Sequence, residues 1–145
     1  MTAKRLCTVT ALGLLVAALV FACACSKEEV TESLGLISED LLLEEAFTLM
    51  EDNRGSDTFV IIDLRSAEKY ASGHIEEAIN LDYNSPDFDQ ELDELDRDKA
   101  YLLYNHTDDV SGEVMDMMAV LGFAEVYNML GGMKRWQRLG LPLVQ

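Results

Sequence analysis

Beyond residue 25 the chain contains no cysteine: its three thiols, Cys7, Cys23 and Cys25, all lie near the start. The rest of the molecule therefore has no internal disulfide, no cysteine zinc site and no thiol nucleophile. Basic residues are scarce as well. Eleven Lys and Arg stand against 27 Asp and Glu, a formal charge of −16. The summed field repels phosphate backbones and anionic lipid surfaces, which excludes nucleic acid as a partner. There is no low-complexity tail and no internal repeat of solenoid length. The longest apolar run, Leu6 to Phe21, is too short and too one-sided in flanking charge for a comfortable membrane span. What remains is 145 residues, 49% hydrophobic, enough for one compact domain with a packed core.

The start of the chain reads as an export signal: Lys4 and Arg5 precede the apolar run, and "VFACACSKEE" follows it. Val20 and Ala22 before Cys23 resemble a bacterial lipobox, although Phe21 is bulkier than that pattern usually takes. The resemblance implies a lipoprotein signal over residues 1–22, cleavage before Cys23 and diacylglycerol on that thiol. Cys25 is the competing site, and a plain secretory signal or an uncleaved anchor helix is the alternative. Two acyl chains give stable anchoring where one is marginal. Residues 23–34 then form a lipidated tether, and residues 35–145 the domain. The expected location is the bacterial cell envelope, on the outer side of the cytoplasmic membrane or on the outer membrane. Losing residues 1–22 removes two bases and no acid, leaving a charge of −18.

Within the domain, "SEDLLLEEAFTLMED" from Ser38 predicts a surface helix with Ser38 as its N-cap. "TFVIIDL" predicts a strand buried on both faces. A short helix over Ser66 to Ala71 ends at Gly73, "AINLD" offers a brief strand, and "DFDQELDEL" a helix with Phe88, Leu92 and Leu95 on one side. "AYLLYN" is another central strand, Ser111 to Leu121 a helix, and "AEVYNML" the last strand. After Gly131 and Gly132 a final helix runs through Leu139, capped by Gly140 and stopped by Pro142. Strands alternating with helices across short loops imply an α/β fold, a mainly parallel sheet covered on both faces, with its ligand site at the carboxyl ends of the strands.

Asp63 and Arg65 in "DLR", Glu68, Tyr70, "GHI" at Gly73 to Ile75, "AIN" at Ala78 to Asn80, the Gly131-Gly132 pair and Trp136 occur in an order and spacing that resemble the rhodanese-like family of sulfurtransferase domains. The resemblance runs from about Leu36 to Val144. It implies a three-layer sandwich with a five-stranded parallel sheet. It also implies that the residue ending the central strand should be a cysteine carrying sulfur as a persulfide, cradled by the backbone N–H groups of the next loop. Aligned strand to strand, this chain has Asn105 at that position, and an asparagine amide is not nucleophilic. The loop, Asn105, His106, Thr107, Asp108, Asp109, Val110 and Ser111, also lacks the family's usual basic residues, and its two carboxylates oppose an anion such as thiosulfate. No catalytic residue is therefore expected. The loop is expected to bind an envelope partner or a small ligand, with Arg65 as a possible ligand contact and no cofactor.

Other readings of these residues are weaker. His106, Asp108 and Asp109 offer three candidate metal ligands, but acids near a helix start ordinarily serve as caps, Asp109 here for the helix near Ser111, and no second cluster completes a ligand set. No metal is expected. A sulfurtransferase with residual or altered activity, or a metal-dependent function at this loop, is the alternative. Asp63, Gly73, His74 and Trp136 read as structural. "DFDQELDELDRD" fails as a calcium loop because Leu92 sits where glycine is required. Met115, Met117, Met118, Met129 and Met133 read as core or groove filling rather than as metal ligands.

Overall fold

The computed structural model describes residues 36–145. The proposed signal, Cys23, Cys25 and the whole of the tether lie outside the described residues. Ten elements alternate: β1 (Ile37–Leu41), α1 (Leu43–Asp52), β2 (Phe59–Asp63), α2 (Ala67–Ser72), β3 (Ala78–Asn80), α3 (Phe88–Asp93), β4 (Ala100–Tyr104), α4 (Asp109–Val120), β5 (Glu125–Met129) and α5 (Gly132–Arg138). The five strands form one sheet in the order β1-β5-β4-β2-β3, every pair parallel. This is the rhodanese-like α/β architecture expected above.

Side-chain alternation along the central strands divides the core in two. Ile61, Leu102, Tyr104 and Met129 face α1 and α5, meeting Leu43, Ala46, Met50, Met133 and Trp136. Ile62, Tyr101, Leu103 and Val126 face α3 and α4, meeting Phe88, Leu92, Val114, Met115 and Met118. Four of the five methionines noted in the sequence are thus core, and Met117 is exposed.

The segment from Ser38 departs from expectation. Residues 37–41 are a strand, and the helix begins only at Leu43. Ser38 is not a cap: it pairs with Val126 on an edge of the sheet, and the Leu42 N–H donates instead to the Glu45 carboxylate at 2.8 Å. The reason is tertiary. An edge strand exposed on nearly its whole length needs no apolar alternation, and its polar residues Ser38, Glu39 and Asp40 discourage edge-to-edge pairing with other chains. The helix at 87–95 is also shorter than expected, ending at Asp93, with Leu95 beyond it but still packed on the core. Among the described residues no helix is long and apolar enough to cross a membrane.

Candidate functional site

The loop after β4 is held from below and closed from within. From below, the N-terminus of α5 meets it: Met133 N–H donates to the Asn105 carbonyl and Lys134 N–H to the His106 carbonyl, both at 2.9 Å. So close an approach requires glycine. A Cβ on Gly132, whose φ is +50°, would lie 1.8 Å from the Thr107 carbonyl oxygen. Gly132→Ala should therefore cost about 3 kcal/mol or more, because the obstacle is backbone that cannot swing aside. Gly122→Ala, with φ +83° and nothing within 4 Å, should cost about 1 kcal/mol. Urea unfolding midpoints of the two variants test the contrast; equal losses would show that the loop yields.

From within, the Asp109 carboxylate is the hub. It accepts from Thr107 Oγ1 at 2.6 Å and from Asn105 Nδ2 at 3.0 Å. The Thr107 hydroxyl, then the Asn105 amide and the Val110 backbone N–H, hold its carboxyl well below the usual carboxylate range. This differs from the expected cap. Asp108 is the N-cap residue of α4, with no side-chain cap bond, and Asp109 stands in the first turn reaching back over the loop. Asn105 itself is only 7% exposed, and the Ser111 hydroxyl donates to its Oδ1 at 3.4 Å. His106 is exposed. Among the described residues no three His, Cys, Asp or Glu side chains are grouped so that they could hold a metal ion.

Next to the loop lies a cavity of about 210 Å³, lined by Leu64, Arg65, Ser66, Lys69, Tyr83, Asn84, Asn105, His106 and Val110. Its charged lining is Arg65 and Lys69; neither Asp108 nor Asp109 lines it, although the Asp109 carboxylate accepts from the lining residue Asn105. Lys69, Tyr83 and Asn84 were not singled out in the sequence. The signal was available: they follow β2 and β3, whose carboxyl ends share a rim with that of β4.

Arg65 is largely committed elsewhere. It donates from Nε to both Asp63 oxygens at 2.9 and 3.0 Å and from Nη2 to Asp63 at 2.6 Å and to the Gly73 carbonyl at 2.8 Å. Burial alone would lower its affinity for a proton, but the bonds from Asp63 raise it on balance. The guanidinium also lies over the Tyr104 ring, 5.9 Å from its centroid. His74 stacks on Tyr70 with ring centroids 3.7 Å apart and bridges Val144 through its backbone, so it ties the C-terminal segment. Trp136 donates from Nε1 to the Pro142 carbonyl at 2.9 Å, closing the same segment.

The profile of the rhodanese-like domain family matches residues 46–139. The chain is similar to the thiosulfate sulfurtransferase GlpE of Actinobacillus pleuropneumoniae, 29% identical over 99 residues that span 68% of this chain and 86% of that one. The protein of the same description from Coxiella burnetii is 30% identical over 78 residues, covering 54% and 71%. Among solved structures, a rhodanese-related protein from Thermoplasma volcanium superposes with a TM-score of 0.61 at 20% identity, covering 73% of this chain and 97% of that one. The rhodanese-like domain of an Anabaena protein gives 0.60 at 23% identity, covering 72% and 77%. With its sheet order, its rim loop and these likenesses, the chain belongs to the rhodanese-like domain family.

Proposed function

We propose that this protein is an exported rhodanese-like domain, lipid-anchored in the bacterial envelope through Cys23 or else Cys25, that lacks the family's nucleophile and serves as a non-catalytic binding or scaffolding module. The observation that carries the reading is Asn105. It directly follows the central strand β4, its buried amide is bonded to Asp109 and Ser111, and no thiol occurs anywhere from residue 36 to 145. Persulfide chemistry requires a thiolate that attacks a sulfur donor and then carries the sulfur, and an amide does neither. The cavity beside the loop retains hydrogen-bonding groups from Ser66, Lys69, Tyr83, Asn84 and His106, which suit recognition of a small ligand or a partner's side chain.

The test is turnover of thiosulfate with cyanide by the domain lacking residues 1–25. The expected rate equals the blank without protein. Clear turnover that disappears on changing the 105–111 loop would overturn the reading. For the anchor, metabolic labelling with a fatty acid should mark the wild-type chain and be lost in Cys23→Ser; labelling retained there but lost in Cys25→Ser would move the anchor, and none in the wild type would refute it.

A further inference from the structure

Away from the rim, α3 and α4 leave a groove of about 730 Å³ between them. Helix α4 is apolar on two sides. Its inner side puts Val114, Met115 and Met118 in the core, whereas Met117, Val120 and Leu121, spaced as i, i+3 and i+4, line the groove facing outward. Val120 is 89% exposed, an unusual place for a branched apolar residue on a helix that already has a buried face. The rim is polar and acidic: Asp89, Gln90 and Asp93 on α3 and Asp116 on α4, with no basic residue in the lining. Arg97 neutralises Asp93 from outside the groove and also bonds the Leu121 carbonyl. Asp89 and Asp116 form no ion pair among the described residues.

We propose that this groove docks a basic amphipathic helix of a partner protein, its apolar stripe on Met117, Val120 and Leu121 and its Lys or Arg flanks against Asp89 and Asp116. Helix-in-groove recognition reads such i, i+3, i+4 anchors, and charge of opposite sign sets orientation and association rate. A second copy of this chain is a poor occupant, because at −16 it opposes its own rim. The site is separate from the rim loop, so it stands whether or not Asn105 has abolished catalysis.

The experiment uses the full chain in mild detergent and two labelled synthetic helices with the same Leu stripe, one flanked by Lys and one by Glu, followed by fluorescence anisotropy. The Lys peptide should bind at least about tenfold more tightly than the Glu peptide at low salt, and the gap should narrow as salt rises. Val120→Ser, which leaves the core untouched, should weaken the Lys peptide by about tenfold, the order expected when one branched apolar contact is lost. Asp89→Lys with Asp116→Lys should reverse the preference. Equal binding of both peptides, or no response to either variant, would overturn the proposal. So would a dimer of the chain in sedimentation that Val120→Ser dissociates, because a second copy would then be the occupant.

Discussion

Asn105→Cys by itself should load sulfur from thiosulfate at least about tenfold more slowly than Asn105→Cys combined with Asp109→Ser. The single change supplies a thiol at the end of β4, but it also removes the amide that donates to the Asp109 carboxylate. That carboxylate lies within hydrogen-bond reach of the residue 105 side chain, so a thiolate there faces a like charge at short range. The thiol's affinity for its proton rises above the ordinary value of about 8.5, and each unit of rise leaves tenfold less thiolate at neutral pH. Serine at position 109 removes the charge and keeps a hydroxyl for Thr107 to bond. Mass spectrometry after thiosulfate treatment reads the addition of one sulfur atom, and cyanide should strip it. Equal loading of the two variants would clear Asp109 of any role. Loading of neither would mean that the loop backbone no longer forms an anion cradle, and that more than the nucleophile has been lost.

Asp63→Ala should destabilise the domain by about 3–5 kcal/mol, the usual consequence of stranding a buried charge. Asp63 is fully buried and Arg65 is 8% exposed. The carboxylate takes three side-chain bonds from the guanidinium and a fourth from the Arg65 backbone N–H at 3.0 Å. Without it the guanidinium keeps the Gly73 carbonyl and the face of Tyr104, 5.9 Å away. Those contacts do not replace a counter-charge at a buried position. Asp63→Leu with Arg65→Met should recover most of the loss, because two apolar side chains of similar volume remove both the charge and its need for a partner. Denaturant midpoints of the three variants decide the matter. If Asp63→Ala costs under about 1 kcal/mol, the pair behaves as a surface ion pair. The pairing also bears on the site, since it holds Arg65 at the cavity wall.

Several parts of this molecule were legible from short stretches. The run "TFVIIDL" reads as a strand covered on both faces, because it is β-branched and no polar position interrupts its centre to meet water. Gly140 and Pro142 marked the end of α5 through their own backbone limits, and Gly140 takes φ +67° just beyond the helix. The absence of a thiol in the domain, and with it of persulfide chemistry by the domain's own residues, is a fact of composition that no folding alters. Each of these is decided by one residue's chemistry or by a pattern within ten residues or so of chain.

The rest required neighbours distant in sequence. The strand Ile37–Leu41 looked helical because the acids and leucines around it have helical spacing, and only the free edge of β5 made residues 37–41 extended. Asp109 looked like a cap because of its position. It became the hub of the loop because the Asn105 and Thr107 donors curl toward it once α5 pins the loop from beneath. Lys69, Tyr83 and Asn84 line one cavity only because the carboxyl ends of β2, β3 and β4 come together in one rim. A sequence determines what each residue can do by itself, through its donors, charge, shape and allowed backbone angles. Which of those capacities is exercised depends on what packing brings within about 3 Å, and for this chain that was decided by long-range pairing of strands that no local window contains.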